Sequence, residues 1–154
     1  MLSVVLLASL VLYAVVASQP LFYLVALGPA QRRLSAPAYI ELRQALNPLM
    51  VRRVPALYLA TLAALALTLF LAWRSSELRL VGPAFTALVL LVVDTFLMTR
   101  SSVPINTLID SWTPERHPGD WELHRDRWFV IFRYRQAALL TGLFGLLSGA
   151  VLRP

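Results

Sequence analysis

Residues 80–99 read LVGPAFTALVLLVVDTFLMT, twenty residues with one ionisable side chain, Asp94. A helix rises 1.5 Å per residue, so about 20 apolar residues span a hydrocarbon layer about 30 Å thick. Working outward, residues 2–27 and 54–73 form comparable runs, and a fourth begins near residue 120 and continues to 152. None of these runs alternates apolar with polar, as the strands of a transmembrane barrel would. The chain is 58% hydrophobic, against about 45–50% for a soluble domain. The expected fold is all-α: a single-domain, polytopic membrane bundle of four helices, at about 2–27, 54–73, 80–99 and 120–152.

Charge sets the expected topology. The net charge is +6, and all fourteen basic side chains are arginine. In a soluble protein this balance would point to nucleic acid. Between apolar helices it points to the lipid bilayer, because basic loops fix orientation and touch anionic headgroups. No nucleic-acid partner is expected. Residues 28–53 hold Arg32, Arg33, Arg43, Arg52 and Arg53, and residues 100–128 hold Arg100, Arg116, Arg125 and Arg127. Only Arg74, Arg79 and Arg153 lie on the other side. Loops one and three are therefore expected in the cytoplasm, with the chain in a bacterial inner membrane. The first run lacks a basic leader and is too long for a signal-peptide core, so it reads as a retained helix.

Composition also excludes chemistry. There is no cysteine, which removes thiol redox relays, disulfide exchange of the kind some quinone-coupled four-helix proteins perform, Cys-ligated zinc and iron–sulfur centres. There is no lysine for a Schiff base. His117 and His124, seven residues apart, lack a metal-binding spacing, so no metal site is expected.

Loop one carries its own pattern. In residues 39–50, YIELRQALNPLM, Tyr39, Leu42, Leu46 and Leu49 recur at helical spacing. This predicts a short amphipathic helix at the interface, kinked or ended by Pro48. The alternative is that Glu41, Arg43 or Asn47 lines a pocket. Pro20 is expected to kink helix one near Gln19. Gly142, Gly145 and Gly149 include a GxxxG spacing for close helix approach.

Chemistry concentrates in residues 100–135, RSSVPINTLIDSWTPERHPGDWELHRDRWFVIFRYR, which hold three of the four tryptophans and both histidines. From a helix start near Asp120, Trp121, His124, Trp128, Phe132 and Arg135 fall at steps of three and four and form one stripe. Arg125, Arg127 and Arg133 then point elsewhere, toward headgroups. Trp112 and Trp121 suit an interfacial belt as well as a pocket. Arg135 lies about two turns past Trp128, deep enough to need a partner. Asp94 is the expected one, with Arg133 as the rival cation. Tyr58, Thr61 and Thr68 form a polar stripe on helix two, and Tyr13 and Gln19 do so on helix one. Both read as helix–helix hydrogen bonds or substrate contacts.

The order Pro104, Asn106, Trp112, Trp121, Trp128, Arg135 resembles the pattern of the anthrone oxygenase-like family of small four-helix membrane proteins. The match is confined to about residues 103–140. The family often has His or Asn four positions after the last tryptophan, where this chain has Phe132. The resemblance implies oxygenation of a tricyclic anthrone to an anthraquinone with no metal or organic cofactor. On that reading His124 is the first candidate base, being the stripe's one group that titrates near neutrality, with Asp110 or Glu41 second. Arg135 and Asn106 would stabilise an enolate. Trp112, Trp121 and Trp128 would wall a site for a hydrophobic aromatic molecule, with Asp94 and Glu41 beside it.

A second reading is a non-catalytic membrane subunit or small-molecule-binding protein whose loops dock a cytoplasmic partner. A transporter is a third, and a four-helix unit would need to form a homo-oligomer for that. Geometry separates the first two. An enzyme needs Asn106, His124 and Arg135 at one cavity, whereas a docking protein would spread them over an exposed surface.

Overall fold

The computed structural model describes residues 1–152, apart from the Pro20 side chain. Arg153, counted above toward the outer face, lies outside them. Four helices are long and apolar enough to cross a membrane: α1 (Leu2–Gln31), α2 (Ala36–Arg74), α3 (Leu78–Asp110) and α4 (Trp121–Val151). No strand occurs among the described residues. Each helix packs on its neighbour in sequence, α3 most extensively on α4, and α4 returns against α1 to close the bundle. Large apolar side chains cover the outside, among them Val4, Leu7, Leu59, Phe70, Phe85 and Phe144. Such a surface suits acyl chains, not water.

Three of the helices are longer than the sequence predicts, and proline chemistry accounts for two of them. α1 is regular over Leu2–Phe22, widens into a π-turn at Tyr23–Leu27 and ends with Gly28–Gln31. α3 is regular over Leu78–Leu97, widens at Met98–Ser102 and continues over Val103–Asp110. A proline follows each π-turn at the same offset, Pro29 in α1 and Pro104 in α3. A proline ring crowds the carbonyl four residues back and offers it no N–H. Widening the turn relieves both defects without ending the helix. In each case the next N–H bonds five residues back, Gly28 to the Tyr23 carbonyl and Val103 to the Met98 carbonyl. The Pro20 side chain, on which the expected kink near Gln19 depends, lies outside the described residues; the π-turn at Tyr23–Leu27 comes after it. Among the π-turn residues only Tyr23 and Ser102 are buried.

The separate amphipathic helix of loop one is not formed. Residues 39–50 are the first third of α2, which runs unbroken through Pro48 and Pro55. Its buried face is Ala36, Tyr39, Ile40, Arg43 and Asn47, while Leu49 and Glu41 are exposed. Arg43 and Asn47 of the polar side therefore face inward together with Tyr39 and Ile40. The reason is that α3 extends far enough past the expected end to lie beside it.

The core has two parts. An aliphatic part gathers Leu6, Val16, Leu65, Leu80, Leu91, Leu139 and Leu146 from all four helices. An aromatic part gathers Tyr23, Tyr39, Trp112, Trp128, Phe129 and Phe132 at the end where α1 meets α2 and α3 meets α4. The expected polar stripes mostly tie helices together. Ser9 and Thr68 share a 2.8 Å hydrogen bond, Tyr13 donates to the Ala87 carbonyl at 3.4 Å, and Gln19 donates to Met50 Sδ at 3.4 Å.

The glycine reading changes in detail. A Cβ on Gly142 would sit 2.0 Å from the Tyr13 hydroxyl, and one on Gly149 would sit 2.7 Å from Pro83 Cβ, whereas nothing lies within 4 Å of one on Gly145. Close approach thus uses Gly142 and Gly149. Gly149→Ala should lower the thermal midpoint in detergent, with a loss of about 1–3 kcal/mol for overpacking against a rigid ring. Gly145→Ala should leave the midpoint unchanged. Equal midpoints for the two variants would refute this packing.

Candidate functional site

The expected Asp94–Arg135 pair forms and lies between the two cores. Arg135 Nε donates to Asp94 Oδ1 at 2.8 Å and Nη2 donates to Oδ2 at 3.3 Å, a fork that fits a planar carboxylate. Tyr58 donates to Asp94 Oδ2 at 2.6 Å and accepts from Arg135 Nη2 at 3.3 Å. Ser102, brought in by the second π-turn, accepts from Arg135 Nη1 at 3.5 Å. Asp94 is fully buried. Arg133, the rival, is exposed.

A second guanidinium lies nearby. Arg43, on the inward polar face of α2, is 3% exposed. It donates through Nη1 to the Tyr23 hydroxyl at 3.1 Å and through Nη2 to Asn106 Oδ1. Its Cζ stands 4.3 Å over the Trp128 ring. Trp128 stacks on Phe132, 4.6 Å apart and 15° from parallel, and Arg135 Cζ lies 5.5 Å from the Phe132 ring. Guanidinium, indole, phenyl and guanidinium thus form one chain of contacts. Arginine only donates, so the Asn106 atom facing Arg43 must be its oxygen, which leaves the Asn106 NH2 to donate elsewhere.

Arg43 has no carboxylate within ion-pair distance among the described residues. Asp94 is held by Arg135 and Tyr58, and Asp110 accepts from Asn47 at 2.8 Å. Its Nε and the Trp128 Nε1 are buried without a hydrogen-bond partner. A cation–π contact is worth about 0.5–2 kcal/mol, less than the several kcal/mol that bringing an ion out of water costs. The ring alone does not compensate this charge.

These groups line one cavity of about 290 Å³, bounded by Arg43, Asn106, Trp128, Phe132, Arg135 and Tyr23, with Asn47 and Ser102 beside them. Its lining includes the exposed Val51, Thr99 and Val103, so it opens between α2 and α3 on the outer surface. No carboxylate and no imidazole lines it among the described residues. A shallower groove between α1 and α4 shares the Tyr23 and Phe132 wall.

The expected site residues divide between this cavity and other places. Asn106, Trp128 and Arg135 line it, and Asp94 sits behind Arg135. Of the loop-one alternatives, Arg43 and Asn47 line it and Glu41 does not. His124, Trp112 and Trp121 belong to a clamp at the loop end. His124 meets Trp112 edge-on at 5.6 Å, Trp121 packs on Tyr39 at 5.5 Å, and His117 meets Trp121 at 6.5 Å. Gln44 closes this end by donating to the Trp112 carbonyl at 2.8 Å, so a side chain serves a carbonyl left open just past α3. Arg125, expected toward headgroups, is 7% exposed, lies over Trp121 at 4.9 Å and pairs with Asp126 at 3.2 Å. No cluster of His, Asp and Glu suited to a metal occurs among the described residues.

Tyr23 and Ser102 were not legible as site residues. Each reaches the cavity through a π-turn, and the one cue in sequence was a proline two residues beyond it.

Removing one partner of a buried ion pair strands the other charge, at a cost of about 3–5 kcal/mol. Asp94→Ala and Arg135→Ala should each lose that much in equilibrium unfolding. The double variant Asp94→Leu/Arg135→Met should lose much less than the sum. Additive losses would show that the two side chains do not act as a pair.

No protein-family model matches the chain, no curated protein matches it, and no solved structure matches it.

Proposed function

We propose that this chain is an integral membrane protein that binds a flat, hydrophobic aromatic molecule between α2, α3 and α4 and oxygenates it without a cofactor, as the anthrone oxygenase-like resemblance implies. One observation carries the reading: a stacked aromatic wall, Trp128 on Phe132, borders the same cavity as two guanidiniums and the Asn106 amide. The wall suits a planar polycycle. The donors suit an oxygen that gains negative charge.

The reaction balances without a metal or flavin. The anthrone methylene carbon loses both hydrogens and gains one oxygen atom as a carbonyl. The second atom of O2 leaves as water, so O2 accepts the four electrons the carbon gives up. The protein's part is to make the enolate. Arg135, held by Asp94, and Asn106, oriented by Arg43, donate to its oxygen, and fixed positive charge makes the bound acid stronger by stabilising its anion. The first proton passes to water at the mouth. His124 has no part in this scheme, because it lies outside the cavity.

The second reading, a binding protein or subunit without catalysis, is favoured by one fact, the lack of a carboxylate or imidazole on the cavity wall. Oxygen uptake by the detergent-solubilised protein with a hydroxylated anthrone separates the two. Uptake with quinone formation is expected. Asn106→Leu should reduce it by about two orders of magnitude, the usual effect of losing one oxyanion donor. His124→Ala should leave it near wild type. Uptake no faster than spontaneous oxidation would reject the enzyme, and loss of uptake in His124→Ala would restore histidine as the base.

The arginine bias supports an orientation with the α1–α2 and α3–α4 ends on the cytoplasmic side, which we read as that of a bacterial inner membrane. With no native cysteine, single-cysteine labelling reads this directly. An impermeant maleimide added to intact cells should label Ser75→Cys and spare Ser111→Cys; the reverse pattern would invert the topology.

A further inference from the structure

We infer that the molecule this cavity takes is an anion before any chemistry occurs, and that Arg43 is the counter-charge for its acidic group. The inference rests on the reading that the cavity is the ligand site, and it adds the ligand's charge and the residue that selects it.

Three observations lead there. First, two buried guanidiniums line the cavity and one buried carboxylate stands behind them, and Asp94 is committed to Arg135 through both oxygens. Arg43 is left with neutral partners, the Tyr23 hydroxyl, the Asn106 carbonyl oxygen and the Trp128 ring. Second, its Nε is a buried donor with no acceptor, and so is the indole N–H of Trp128 stacked under it. Buried donors are rarely left unmet in a native structure. Both atoms are themselves covered, so they mark Arg43 and Trp128 as under-satisfied groups beside the cavity and are not its contact atoms. Third, no carboxylate lines the cavity among the described residues. A neutral polycycle would fill the aromatic slot and leave Arg43 uncompensated in a drier place than before. A carboxylate or phenolate on the same ring system would complete the pair.

The ligand class is therefore an aromatic polycycle with one acidic substituent, carboxylic or phenolic. It would enter from the lipid side through the gap between α2 and α3. Arg43 then has two effects. It pairs with the acidic group, and it fixes the Asn106 amide so that its NH2 faces the reacting oxygen. Only the first depends on ligand charge, which gives the test its selectivity.

The probes are an anthraquinone monocarboxylate and its uncharged carboxamide, isosteric except for charge. Binding is read by quenching of tryptophan fluorescence in the full-length protein in detergent at neutral pH. The wild type should favour the carboxylate by about tenfold or more, a modest value for a desolvated charge pair. Arg43→Met should bind both probes alike, losing affinity for the carboxylate only. Arg43→Lys should keep a preference for the carboxylate, because it keeps the charge. Equal affinity of the two probes for the wild type would overturn the inference while leaving an aromatic site in place. A preference that survives in Arg43→Met would also overturn it, by assigning the selectivity to Arg135. Failure of both probes to bind the wild type would remove the cavity reading itself. If Arg43→Met does not fold, the comparison within the wild type still decides whether the ligand is taken as an anion, and Arg43→Gln, which keeps hydrogen-bond donors and removes the charge, decides whether Arg43 is responsible: loss of the preference is expected, and its survival would overturn the assignment.

Discussion

Two buried guanidinium groups line the cavity of this bundle, and one buried carboxylate is there to meet them. Most of the local structure follows from that imbalance. Asp94 and Arg135 form a closed pair with Tyr58 and Ser102, and this lets a charged residue sit in the middle of otherwise apolar helices. Such a pair adds little net stability over a well-packed apolar one, but it specifies how α3, α4 and α2 must register. Arg43 is the unmatched charge. It is tolerated because aromatic faces and neutral oxygens surround it, and because it borders open space.

Geometry at this end depends on two local defects. A regular helix running through Pro29 or Pro104 would hold the ring against the carbonyl four residues back. Each π-turn instead absorbs the proline, extends its helix and turns one polar side chain inward. Tyr23 becomes the acceptor for Arg43, and Ser102 becomes the acceptor for Arg135. The extension of α3 also carries Asn106 to Arg43 and Asp110 to Asn47. The cavity exists because α2 and α3 run on together past the point where their apolar stretches stop.

The apolar spans and the start of α4 were legible because hydropathy and helical periodicity act within one segment. The Asp94–Arg135 pair was legible because two charges at one depth in apolar helices have few alternatives. Arg43 was visible only as one option in an amphipathic pattern whose apolar side looked buried. Which side faces inward was decided by what α3 placed opposite, and no local pattern in α2 records that. The same limit explains His124. It falls on the expected stripe with Trp128 and Arg135, but the stripe is long. Its first turn meets Trp112 and the loop, while only its later turns meet the cavity. Angular position around a helix was readable from spacing; the partner at each height was not.

The separation of clamp from cavity bears on how the bundle could work. Trp112, Trp121, His124, Gln44 and Arg125 lock the α3–α4 loop over one end, so entry from that side would mean breaking several packed contacts. The mouth between α2 and α3 is lined instead by Val51, Thr99 and Val103, which are already exposed. On the proposed reading, an aromatic acid dissolved in the bilayer would meet this opening by lateral diffusion, with its acidic group drawn toward Arg43 and its ring toward Trp128. A charged headgroup with two acyl chains is a poor rival, because a cavity of about 290 Å³ holds one ring system and little more. On the proposed reading, the fold would admit a ligand by size and flatness, and the unmatched arginine would sort what has been admitted by charge.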